Sequence, residues 1–432
     1  MSLHTHVFRL LTVIGLCLLV TCGPTGDTGT NAEPPAKEPE PTGTPVPQTD
    51  LSPDIPTDLP TDPTQDQVDE FAWQMFVAVN WPAGTTMRGE PDRTKVIGQP
   101  GTVVWDTYKT PEEVFLPGGT PPPDWNTPPT SPCGADTAKS LGMTSKASED
   151  LKLIHQAVGG TLTDQNGQLV RYEIRFDKKE FDYIVTNQFY NYDIQAAATN
   201  IDFPDGTVEV KAAWRIFVDG KDVEATRQRY YRVMANITEG GDPSVERELG
   251  LIGLHVIQKT PSRPQWVWGT WEHVDNLGHG PKSCTDTDAS DAPISLWNPA
   301  CDVTQCPPNK STEDNGVPTT IPTQVLRETA IMAGTAAINK TYQDKLCAAV
   351  ANSPWQYYEL VVAQWPERPA DPTAVIGEPV PNIAANTSME TYIQLDSSCM
   401  GCHDTAKTVN KRTRADFSFV LSHVRPTQGG EQ

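Results

Sequence analysis

Two thiols and an imidazole stand together towards the C-terminal end of the chain, in Cys399-Met400-Gly401-Cys402-His403. The spacing has a chemical logic. Two thiols three positions apart can each add to one of the two vinyl groups of a haem, and the histidine that follows is then held beneath the ring with its imidazole turned to the iron. Read this way, Cys399 and Cys402 form the thioethers of one covalent haem c, and His403 is the proximal iron ligand. With 9 Cys and 8 His in 432 residues, the pattern is expected by chance roughly 0.003 times per chain. A dithiol redox motif would open a helix after a strand in a βαβ unit, and the surrounding sequence offers none. A zinc site needs a second close Cys or His pair, and none stands out.

A haem iron has two axial positions. None of the 29 residues after His403 is Met, so a second ligand is expected from upstream or from His423. Met389, His255 and His273 are the upstream candidates. Each has an ordinary alternative: a histidine bonded to a neighbour in a strand, or a methionine packing a helix on the body. A Met ligand would raise the reduction potential relative to two histidines, and an open position would admit a small ligand or peroxide. The sequence leaves these open.

Thioether formation of this kind belongs outside the cytoplasm, and the N-terminus fits export. Arg9 precedes a short apolar run from Leu10 to Val20, too short to span a bilayer comfortably. Residues 1–21 are expected to be a signal peptide. Leu19-Val20-Thr21-Cys22 resembles a bacterial lipobox, with Thr21 as the departure, and makes Cys22 the expected lipidated residue. The protein is then exported to the periplasm or cell envelope and held at a membrane through a lipid anchor only. Cys133, Cys284, Cys301, Cys306 and Cys347 remain. In an oxidising compartment they form at most two disulfides, and the cluster at Cys284, Cys301 and Cys306 points to at least one bridge pinning a long loop. Removal of residues 1–21 leaves 32 basic against 55 acidic residues, a net charge of −23. Such a chain is a poor nucleic-acid binder and could steer a basic redox partner protein.

The remaining chain must position the motif. Residues 22–65 hold 11 of the 40 prolines and few large apolar residues, and are expected to form an extended tether. Residues 66–380 are the expected body, and 381–432 a C-terminal haem segment packed on it. Val68, Phe71, Ala72, Met75 and Val79 recur at helical spacing, so Asp66 to Asn80 reads as a helix stopped at Trp81-Pro82. Thr110-Pro111-Glu112-Glu113 signals a short capped helix. Further helices are expected from Ser148 to Gly159, Lys178 to Asn187 and, as the longest, Gln324 to Ala351. Alternating β-branched and aromatic residues mark strands at Leu169–Phe176, Val208–Phe217, Tyr230–Met234, Leu251–Ile257, Gln265–Val274 and Tyr357–Gln364. Thr387 to Glu390 reads as a capping box opening a short helix at Ser388 that leads to the motif. Asp286, Asp288 and Asp291 do not fit a calcium-binding hand, because its twelfth position would be Trp297. The Trp266, Trp268 and Trp271 run reads as core packing, with flanking of the haem as the alternative. The expected fold is α+β, a mainly antiparallel sheet with flanking helices and the haem segment at its C-terminal end.

Phe71-Ala72-Trp73-Gln74 to Trp81, Val208 to Arg215, Gly253-Leu254-His255, Gln265 to Asn276 and Asn386 to His403 together resemble bacterial exported cytochrome c family proteins with one C-terminal haem motif. The resemblance implies a group and not a reaction, and it carries over functional roles only for Cys399, Cys402 and His403. A single haem on an acidic exported body points first to electron transfer. A body far larger than one carried haem needs keeps a haem oxidase or peroxidase, or a haem-based ligand sensor, as alternatives.

Overall fold

The computed structural model describes residues 50–129, 139–141, 160–237, 245–278, 280–281, 288, 290–312, 319–369 and 376–426. The helices are α1 (Gln65–Val79), α2 (Pro111–Val114), α3 (Lys178–Thr186), α4 (Tyr192–Ala197), α5 (Glu224–Arg227), α6 (Ala333–Ala349) and α7 (Cys399–His403). The strands are β1 (Lys139–Leu141), β2 (Arg171–Phe176), β3 (Val208–Ile216), β4 (Arg232–Ile237), β5 (Val245–Thr260), β6 (Arg263–His273), β7 (Tyr358–Pro366) and β8 (Pro379–Val380). The fold is α+β. The expected signal segment, Cys22 and the helix from Ser148 to Gly159 lie outside the described residues, as do Cys133, Cys284 and Asp286.

The eight strands of the described residues form one sheet. Its spine runs β2-β3-β5-β6-β7-β8, antiparallel throughout. The 16-residue β5 is the organiser: β3 lies along one edge, while β4 and then β6 share the other. Strand β1 pairs with β4 in parallel.

Side chains alternate between the two faces, and each face has its own cover. Leu254, Val256 and Trp271 belong to the face packed by α1 and α6. Thr64 and Gln67 form a reciprocal capping box that starts α1. Its Trp73 and Phe76 then meet Trp271 at centroid separations of 6.2 and 5.1 Å. Asn339 of α6 accepts from Trp73 Nε1 at 2.9 Å and pairs with both backbone groups of Leu360. Those backbone groups lie where the β6–β7 ladder shifts register, so the amide side chain replaces strand pairing there.

The opposite face carries Tyr172, Lys211, His255, Trp268 and Thr270, in register across β2, β3, β5 and β6. The chain from about residue 382 onward covers it. Asn386 Nδ2 donates to Thr270 Oγ1 at 2.9 Å and to the Trp271 carbonyl at 2.8 Å, and Tyr172 Oη donates to the Ser388 carbonyl at 2.8 Å.

Three local expectations change. Residues 50–64, assigned to the tether, are packed: Leu51 and Leu59 are buried, and Gln258 and Arg263 donate to the carbonyls of Pro56 and Thr61. Tertiary hydrogen bonds to β5 and β6 order a stretch whose composition alone could not. The long helix begins at Ala333 rather than Gln324, because Val325 is tied into the Leu296 backbone. No helix starts at Ser388. Thr387 spends its N–H on Glu272, so the box moves one residue: Asn386 Oδ1 accepts from Ser388 N, and Glu390 Oε2 accepts from Asn386 N. One turn forms and stops. The expected bridge in the long loop is present: Cys301 and Cys306 form a disulfide, the pairing that spacing had left open.

Candidate functional site

The motif forms its own single-turn helix, α7, on the sheet face away from α1 and α6. Ser398 caps it, accepting from Gly401 N at 3.1 Å. Gln364 of β7 fixes it from below. Its Oε1 accepts from Met400 N at 2.9 Å and from Ser398 Oγ at 3.2 Å, while its Nε2 donates to the Pro381 carbonyl at 2.7 Å. Met400 is buried in the main core. One residue between the cysteines is therefore an anchor, and the two thiols and the histidine are left on the free side of the turn.

Cys399 and Cys402 carry free thiols, with Cys402 at the surface. At three residues' separation on a helical turn their β-carbons are neighbours, roughly 5–6 Å apart. Burial pushes both thiols above their ordinary value, and the Glu390 carboxylate adds to it. A dithiol oxidoreductase needs the opposite, a thiol lowered so that thiolate is available.

His403 is held by one bond and two rings. Its Nδ1 donates to the Phe417 carbonyl at 2.7 Å. Trp268 lies 4.5 Å from the imidazole and Phe419 4.9 Å, centroid to centroid. Burial brings its pKa down to about 4, so at neutral pH the ring is uncharged. With the proton on Nδ1 fixed by a carbonyl, the lone pair sits on Nε2. Protein metal sites use this tautomer and this second partner for a histidine ligand. The carbonyl is placed deliberately. Asp416 and Phe417 both adopt positive φ, 50° and 66°, a conformation that costs roughly 1 kcal/mol or more per non-glycine residue. Asp416 offsets it by accepting from Lys259 Nζ and from Phe203 N, each at 2.7 Å.

Beside the motif lies a polar row. Lys211 of β3 pairs with His255 of β5, which pairs with Thr270 of β6. Glu390 closes over them, its Oε2 3.6 Å from His255 Nε2. Burial would raise the Glu390 carboxyl, yet His255 and Lys211 hold it below the usual carboxylate range. Lys211 in turn is lowered by burial against the opposing pull of Glu390 and the two motif thiols. Its ammonium stands 5.6 Å from the Tyr172 ring centroid.

The sequence candidates separate. His255 is brought to the motif. His273 is not: it lies on β6 five residues beyond Trp268, stacked on Tyr230 at 3.7 Å. Both of its nitrogens are engaged, Nε2 with the Arg229 carbonyl and Nδ1 with Asp275 N. Met389 is fully buried in an apolar cluster with Val170, Ala213 and Ile252. His423 stacks with Phe115 at 6.4 Å. Trp268 flanks His403, whereas Trp271 packs in the helix-covered core. Sequence reasoning missed Gln364, Phe417 and Lys211, and gave Glu390 only a capping role. No local pattern marks a backbone carbonyl; Lys211, alternating with Val210 and Ala212, reads as a solvent-facing position.

No protein-family profile, curated protein or solved structure matches this chain.

Proposed function

We propose that this protein is an exported c-type cytochrome, with one haem attached through Cys399 and Cys402 and ligated by His403, and that it transfers electrons. The observation that carries the reading is the His403 Nδ1 bond to the Phe417 carbonyl, which frees Nε2 beside two unpaired thiols on the same helical turn. The residues fit the group in three respects: two adjacent thiols, a neutral imidazole with its far nitrogen committed, and aromatic walls in Trp268 and Phe419.

The iron of a bound haem supplies a one-electron couple. The chain supplies everything else. Gln364 and Ser398 fix the turn so that the thiols and His403 keep one orientation. Trp268 and Phe419 flank the ring of His403. Cys402, at the surface, places one edge of the site where a docked protein can approach it. A strongly acidic chain, net charge −22, favours a basic redox partner and speeds encounter at low ionic strength. Export and a lipid anchor at Cys22 follow from the N-terminal sequence. Among the described residues no helix is long and apolar enough to cross a membrane.

The test is expression of the full chain in a host with haem-maturation machinery, followed by a haem-stained denaturing gel. Wild type should stain. Cys402→Ala should lose stable attachment, and a Cys399→Ala, Cys402→Ala double variant should not stain at all. Full staining of the double variant would overturn the assignment.

A further inference from the structure

Among the described residues, His255 Nε2 has an ionic neighbour in Glu390 but no hydrogen bond. The atom is buried. The nearest carboxylate oxygen, on Glu390, stands 3.6 Å away, outside hydrogen-bond range. Leaving such an atom unsatisfied costs roughly 1–3 kcal/mol. Three other polar side chains on this face are paired: Tyr172 bonds Ser388, Thr270 bonds Asn386, and Gln364 bonds the motif turn.

The position of this atom is specified by the sheet. Trp268, which touches His403, is the register partner of Ile257 on β5, and His255 is two residues back from Ile257. Two residues along a strand return to the same face, so His255 rises from the sheet towards the segment that carries the motif. Gly253, two residues further, lets that segment approach: a Cβ there would run into Ser388. The close approach brings Glu390 over the row.

We propose that His255 is the second axial ligand, through Nε2, of the group held by Cys399, Cys402 and His403, with Glu390 and Lys211 forming the polar wall around it. The inference rests on the proposed haem attachment and deepens it. Two neutral imidazoles close both axial positions, which makes a low-spin carrier that excludes small ligands and has a lower reduction potential than a histidine–methionine site. Lys211 is turned to the Tyr172 ring, its ammonium 5.6 Å from the ring centroid. His273 and Met389 are committed elsewhere.

The experiment uses the full-length holoprotein. Ferric electron paramagnetic resonance and near-infrared spectra of wild type should show a low-spin bis-histidine signature, and the ferrous form should ignore carbon monoxide. His255→Ala should keep covalent haem, become high-spin and bind carbon monoxide, and added imidazole should restore the low-spin spectrum. Lys211→Met, Met389→Leu and His273→Gln should stay low-spin. A wild-type spectrum that is high-spin or histidine–methionine overturns the proposal, as does an unchanged spectrum in His255→Ala, and the wild-type spectra decide even where a variant fails to accumulate. Wild type without covalent haem would overturn the attachment itself, a different result from haem that is attached but ligated otherwise.

Discussion

Gly253 of β5 lies directly beneath Ser388, so closely that a Cβ on the glycine would overlap the serine hydroxyl. The backbone there needs no unusual torsion, so the requirement is purely one of space. It sets how near the C-terminal segment comes to the sheet, and through it how near the motif comes to His255.

Gly253→Ala is therefore expected to destabilise the protein by about 1–3 kcal/mol, as an overpacked contact does. Ser388→Gly in the same chain should recover most of that loss. Urea unfolding of the two single variants and the double variant measures the coupling; an additive double variant would mean that the contact does not constrain the segment.

Gln364→Leu removes three bonds to the motif and its approach, those to Met400 N, Ser398 Oγ and the Pro381 carbonyl. Met400 N is then a buried donor with no acceptor, at a cost of about 1–3 kcal/mol. The midpoint of denaturation should fall, and the yield of stained haem per protein should fall with it. Gln364→Glu keeps the acceptor and should retain more haem than Gln364→Leu.

Lys259→Met strips the cation from Asp416, whose carboxylate is mostly buried. Breaking a pair of this kind, discounted for its partial exposure, should cost about 1–3 kcal/mol. The turn that presents the Phe417 carbonyl to His403 would loosen. Hydrogen exchange at residues 415–419 should rise more than exchange in the α1–α6 layer, which separates a local effect from global unfolding.

Glu180 and Glu209 face one another under the C-terminal segment with Ser418 between them and Asp177 nearby. Burial raises all three carboxyls, Glu209 and Asp177 to about 7 and Glu180 well above its usual range. An acid raised on folding holds its proton in the native state while the unfolded chain has released it. Its contribution to stability is full below the unfolded value near 4–4.5 and is lost as pH rises through the folded value. Stability should thus decline from about pH 4 through about pH 7. Glu209→Gln should flatten that decline, read as the urea midpoint against pH; an unchanged slope would mean that these groups are ionised in the native state.

The order of helices and strands was legible because it follows from local periodicity and caps. The stripe from Val68 to Val79, the Thr110-Pro111 start and the alternation in β2, β3, β6 and β7 each reappear within a residue or two. Cys399, Cys402 and His403 could be singled out as candidates from the sequence alone, since two cysteines and a histidine at a fixed local spacing need no partner from elsewhere to suggest a chemistry.

What tertiary structure decided is which face is covered, and by what. Glu209, Lys211 and His255 alternate with apolar neighbours as solvent-facing positions do. The sequence pattern records that two faces differ but cannot say that a segment more than a hundred residues away will close over the polar one. That closure turns Glu209 into a buried acid, brings Glu390 to His255 and sets the Phe417 carbonyl against His403. Residues 50–64 show the same effect: their composition forecasts an extended chain, and contacts supplied by β5 and β6 order them. Short-range order is written in neighbours along the chain, whereas burial and the last hydrogen-bond partner belong to residues that meet only when the sheet has formed.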